Sequence, residues 1–139
     1  MSDPLYAKDL LRLAATATGA GRLDAFDAEG SAHNPTCGDR IGVTLRLDPS
    51  GRITEMAHET SACVLAQASA SLLGANLEGA NEETVRKLRA DVGAMLREGS
   101  APAPPFAGYL ALSGAATFRN RHTCVLLPID AVLDALGRK

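Results

Sequence analysis

The sequence predicts an α+β fold in which one small antiparallel sheet is covered by helices, and three observations carry that expectation. An alternating stretch interrupted by "DPSG" reads as a β-hairpin. Apolar residues at helical spacing lie on both sides of it, and neither an internal repeat nor a low-complexity tract interrupts the pattern. With 139 residues, of which 46% are hydrophobic and 22% charged, the chain is long enough to bury one core, so residues 1–139 are expected to form a single domain.

The elements follow in order. "DPLYAKDLLRLAATATGAGRL" opens on Asp-Pro, carries Leu5, Leu10, Leu11 and Leu13 near helical spacing and ends in Gly19 and Gly21, which predicts a helix over 4–18. "DAFDAEGSAHNPTCGD" is rich in Gly, Asp, Asn and Pro and reads as loop. In "DRIGVTLRLDPSGRITEMAHET", Val43, Leu45 and Leu47 alternate with Thr44 and Arg46, and Ile53 resumes the alternation after the turn. "SACVLAQASASLLGANLEG" is Ala- and Leu-rich with a hydroxyl at its start, predicting a helix from Thr60 or Ser61 with Cys63 in its first turn. A further helix has Asn81 as its cap, acidic residues in its first turn, and Val85, Leu88, Val92 and Met95 or Leu96 along one face. "SAPAPPFAGY" reads as an ordered surface loop. In the final helix Leu126, Leu127, Ile129, Val132, Leu133 and Leu136 keep register, with Pro128 and Asp130 suited to an opening turn and Cys124 near the helix start.

Composition excludes several function classes. The formal net charge is −2 and the sequence pI is about 5.9, with Lys and Arg scattered, so nucleic acid and membrane are not expected partners. No apolar run approaches the roughly 20 residues that span a bilayer. "MSDPLYAKDLLRL" also lacks the order of a secretory signal, so the cytoplasm is the expected location. Three cysteines cannot all pair, and in a reducing compartment chemistry or metal binding is favoured over disulfides.

The settings of the cysteines point the same way. Cys37 lies in "HNPTCGDRIG", a segment with little core to bury it, whereas Cys63 and Cys124 are expected near helix N-termini, whose partial positive charge favours a thiolate. Burial as small apolar residues is the competing account of those two. With Asp39, the three thiols make a donor set suited to tetrahedral zinc, but the intervals between the cysteines match no zinc-finger spacing, and the residues alone leave a metal site open.

"NPTCGD" followed by "SACVLAQASASLL" and then "RHTCVLLP" resembles the U-type iron–sulfur assembly proteins, the IscU, NifU and SufU family, from the first helix to the last. The resemblance implies an α+β, SufE/IscU-like fold with about three antiparallel strands. It also implies one site whose metal ligands are Cys37, Asp39, Cys63 and Cys124, converging at one end of the molecule. Within the family, the chain lacks the Leu-Pro-Pro-Val-Lys segment and the His directly before the last Cys that mark IscU-like members. Thr123 precedes Cys124, Arg121 stands three residues before it, and "GANLEGANEETVRKLRADVGAMLREGSAPAPPFAGY" lengthens the interval, all of which resembles SufU. His122 is either a spare ligand that displaces Asp39 or an outlying group. Arg121 is either a support that takes up the Asp39 carboxylate or a surface ion-pair member. His33 and His58 read as solvated or hydrogen-bonded imidazoles.

Two functions follow from the resemblance. In one, the protein is a zinc-dependent sulfur acceptor or sulfurtransferase: a SufS-like cysteine desulfurase passes sulfane sulfur to Cys37, with Arg121 in support. In the other, it is a scaffold on which a 2Fe–2S cluster is built at Cys37, Cys63 and Cys124 and handed to downstream iron–sulfur assembly proteins or apoproteins. A monomer or weak dimer is expected.

Overall fold

The central strand β2 (Arg40–Leu47) pairs antiparallel with β1 (Ala28–His33) on one side and β3 (Ile53–Ser61) on the other, giving the order β1-β2-β3. This computed structural model describes residues 8–35, 38–98, 100, 102, 106, 108–109, 112 and 119–137, the side chains of 9, 10 and 119–121 excepted. The helices are α1 (Lys8–Thr16), α2 (Val64–Asn76), α3 (Glu82–Glu98) and α4 (Arg119–Gly137). No helix among the described residues is long and apolar enough to cross a membrane.

Alternation puts Ile41, Val43 and Leu45 on one face of β2, where all three are buried beneath the helices. Each such burial contributes about 1.5–3 kcal/mol. α3 forms as its pattern requires. Asn81 Oδ1 accepts from the Thr84 N–H at 2.9 Å, and Val85, Leu88, Val92, Met95 and Leu96 are all buried. The described part of the first helix is shorter than 4–18. Leu5 falls outside the described residues, Leu13 packs on the core, and Leu11 is exposed.

Four expectations need correction. The segment read as loop before the Asn-Pro turn contains β1, a strand with no β-branched or aromatic residue that is formed by its full register against β2. It also depends on Gly30, where a Cβ would stand 2.6 Å from Ala135 Cα and 2.8 Å from the Ala131 carbonyl, so α4 lies directly on the strand. Thr60 and Ser61 do not cap α2; they end β3, and Cys63 itself is the N-cap. Pro128 does not open the last helix but lies inside α4, so Cys124 is not at the described start of that helix. Within the Pro-rich connector, Phe106 and Tyr109 are buried in the core rather than on the surface.

Candidate metal centre

Register brings the site together. His33 pairs with Arg40 and Arg40 with Ser61, so the hairpin tip after β1, the residue before β2 and the chain leaving β3 all lie at one end of the sheet. The tip is closed by backbone bonds from Asn34 N to Asp39 O at 2.7 Å and from Gly38 N to Asn34 O at 2.8 Å, with Gly38 at φ +78°. Asn34, inside the quoted motif yet given no role by the sequence reading, is the buried residue that shuts this turn; the Asn-Pro pair was its signal.

At that end, ligand atoms of Asp39, Cys63 and Cys124 lie within 4.8 Å of one another, and Cys124 Sγ is 3.5 Å from Asp39 Oδ2. Asp39 and Cys124 are buried and Cys63 is half-buried. In tetrahedral zinc with bonds near 2.3 Å, two sulfurs stand about 3.8 Å apart, so the three donors need only a small contraction to close on one ion. Cys37 lies outside the described residues, as does the side chain of Arg121.

The two thiols are pushed in opposite directions. A hydrogen bond from Cys124 holds the Cys63 thiol down at about 7, against the opposing effects of burial and the Asp39 charge. The Cys63 sulfur makes no capping bond, yet the Ala66 N–H in the first turn of α2 also favours its thiolate. Cys124 moves the opposite way: donating to Cys63, being buried and facing Asp39 all push it up. A helix N-terminus therefore assists Cys63, while the expected effect of one on Cys124 is absent. Metal binding must expel the remaining proton.

His122 is not part of the three-residue group. His33 is exposed at the end of β1. His58 is buried, with Nε2 donating to the Thr18 carbonyl and Nδ1 facing Thr60 Oγ1, both at 2.9 Å, and burial lowers its pKa. It is the hydrogen-bonded imidazole that the sequence reading expected.

Residues 5–121 match the family described as "NifU-like N terminal domain". The chain belongs to that family. It is 30% identical over 119 residues, 85% of this chain and 74% of the other, to the "Iron-sulfur cluster assembly scaffold protein IscU" of Streptococcus pyogenes serotype M1. It is 45% identical over 53 residues to the "Zinc-dependent sulfurtransferase SufU" of Bacillus subtilis, a match covering 37% of this chain and 35% of that protein. A nitrogen-fixing NifU-like protein (N-terminal) from Brucella abortus superposes with a TM-score of 0.90 at 34% identity, covering 98% of this chain and 94% of that one. FiSufU, a SUF-system protein from Fervidobacterium islandicum AW-1, has a TM-score of 0.83 at 18% identity over 98% and 99% of the two chains, a likeness of fold alone. The expected α+β fold with three antiparallel strands is thus found, and the chain is a homologue of the IscU- and SufU-type iron–sulfur assembly proteins.

Proposed function

We propose that the chain is a cytoplasmic iron–sulfur assembly protein that holds zinc at Cys37, Asp39, Cys63 and Cys124 and accepts sulfur on Cys37 from a cysteine desulfurase. The observation that carries this reading is the convergence of Asp39, Cys63 and Cys124 within 4.8 Å. Cys37 is two residues from Asp39, and two trans peptide units keep their Cα atoms within about 7.6 Å, so the fourth donor is within chain reach of the same ion. Zinc in that position would keep the thiols deprotonated and shielded between transfers.

The chain's own residues do the rest. Asp39 supplies a carboxylate on the same hairpin tip as Cys37, while Cys63 and Cys124 are fixed by α2 and α4. In the transfer, the Cys37 thiolate attacks the terminal sulfur of the desulfurase persulfide. A new S–S bond forms on Cys37, the old S–S bond breaks, and the desulfurase cysteine leaves as thiolate. Arg121, three residues before Cys124 in the sequence, would be a cation for the Asp39 carboxylate to pair with if it were not ligating a metal.

A second reading, a scaffold that builds and hands on a 2Fe–2S cluster at the three cysteines, is favoured by the extent of the likeness to the Streptococcus pyogenes scaffold. Elemental analysis of freshly purified protein, with a desulfurase assay, separates the two. Zinc with stimulated desulfurase turnover supports sulfur transfer; a brown protein with two irons and sulfide supports the scaffold. Persulfide mapping after incubation with desulfurase and cysteine tests the acceptor. Sulfur mainly on Cys63 or Cys124, with Cys37→Ser accepting at the normal rate, defeats the Cys37 assignment.

A further inference from the structure

A second polar cluster lies behind the thiols, wholly inside the core. Tyr109 and Ser69 are each 0% exposed. The Tyr109 hydroxyl is 2.9 Å from Ser69 Oγ and 3.2 Å from the Ser69 carbonyl, and Ser69 Oγ donates to the Val125 carbonyl at 2.7 Å. A carbonyl can only accept, so the Ser69 hydrogen goes to Val125 and the Tyr109 hydrogen is directed at Ser69. The pair therefore forms a relay with one direction, from the connector after α3, through α2, to α4.

Its end point is specific. Pro128 has no N–H to give to the carbonyl four residues before it, which is that of Cys124, so α4 lacks a rung at the thiol-bearing residue. The carbonyl that Ser69 holds belongs to the next residue, and Ser69 is on α2, the helix whose N-cap is Cys63. Apolar side chains fill a core as well as a buried hydroxyl pair does, but they do not fix one carbonyl at a chosen point.

We propose that Ser69 and Tyr109 are positioning residues: a buried hydroxyl relay that ties α4 to α2 at the Pro128 interruption and so sets Cys124 Sγ against Cys63 and Asp39. Only the metal arm of its test rests on the reading of that trio as a metal site.

The test compares Ser69→Ala and Tyr109→Phe with Ile53→Ala, a core truncation at the far end of β3 from Cys63. In a Cys37→Ser background without metal, oxidised glutathione converts the Cys63 and Cys124 thiols to a disulfide with release of two reduced glutathiones. The equilibrium gives the effective concentration of one thiol at the other. Ser69→Ala is expected to change it at least fivefold and Tyr109→Phe at least twofold, with Ile53→Ala within twofold of the parent. In the chain with Cys37 intact, Ser69→Ala is expected to weaken zinc at least tenfold, about 1.4 kcal/mol, and to alter the cobalt–thiolate charge-transfer bands, while Ile53→Ala does neither. A thiol equilibrium and a zinc Kd that respond to Ser69→Ala no more than to Ile53→Ala overturn the proposal. A parent chain that takes up no metal while Ser69→Ala still shifts the thiol equilibrium defeats the metal reading and upholds the positioning role.

Discussion

Two turns close the opposite ends of β2, and each has an aspartate that treats its carboxylate differently. At the β2–β3 turn, Asp48 Oδ1 accepts from Ser50 N, Ser50 Oγ and Arg52 N at 2.7–2.9 Å, and Gly51 N returns to the Asp48 carbonyl. Those bonds, the one from the Ser50 side chain foremost, hold its pKa below the ordinary carboxylate value. At the β1–β2 turn, backbone groups of Asn34, Gly38 and Asp39 make the closing bonds instead, and the Asp39 carboxylate is left to face Cys124. A turn that satisfies itself through its backbone frees a side chain for chemistry; one that spends its carboxylate locally is a structural stop.

The largest effect that bears on this contrast comes from a thiol outside both turns. If the proposed four-ligand site holds zinc, Cys124→Ser removes one of its ligands from a site of the class whose metal binding is worth about 10–16 kcal/mol, and is expected to weaken zinc by roughly two to three powers of ten in a chelator competition. Next is the aspartate pair. Asp39→Ala is expected to speed zinc loss to chelator about 10- to 100-fold, whereas Asp48→Ala lowers the melting temperature and leaves zinc retention unchanged. Equal zinc loss in both would erase the distinction between the turns. Gly30→Val comes third: with α4 lying on β1, a side chain there forces the helix off the strand. We expect a loss of about 2–4 kcal/mol in denaturant unfolding, together with weaker zinc, because α4 carries Cys124.

The smallest effect is the pH response of metal-free protein. Because the folded value of Cys63 lies near 7, below its ordinary 9.0, its contribution to stability is complete above pH 9.0 and fades as pH falls through about 7. Cys124, raised, contributes in the opposite sense, complete below pH 9.0 and lost only at higher pH. Alkylation of metal-free Cys37→Ser protein is therefore expected at Cys63 with a midpoint near pH 7 while Cys124 stays inert. Stability should rise from pH 7 to 9, a rise that Cys63→Ala removes.

Much of this was written in the chain. The alternation about "DPSG" and the apolar face of α3 specify those elements locally, because burial of Val43, Leu45, Val85 and Leu88 follows their own periodicity. β1 was not legible, since Ala28–His33 has no strand-forming side chain and exists through pairing with β2 and the close approach of α4 at Gly30. The course of α4 was obscured by Pro128, whose usual place is a first turn but which here interrupts a helix held by its neighbours. At the site, the motif pointed to Asp39, Cys63 and Cys124, which lie together, while the opposite shifts of the Cys63 and Cys124 thiols arise only when two helices far apart in sequence meet. The Ser69–Tyr109 relay was silent for the same reason.

Zinc-edge X-ray absorption of the purified protein tests the central claim most directly. One zinc per chain with about three sulfurs near 2.3 Å and one oxygen near 2.0 Å is the predicted shell, with the oxygen shell altered by Asp39→Ala and unchanged by Asp48→Ala. A shell of only nitrogen and oxygen, or one with fewer than two sulfurs, would contradict the assignment of Cys37, Asp39, Cys63 and Cys124 to a single metal.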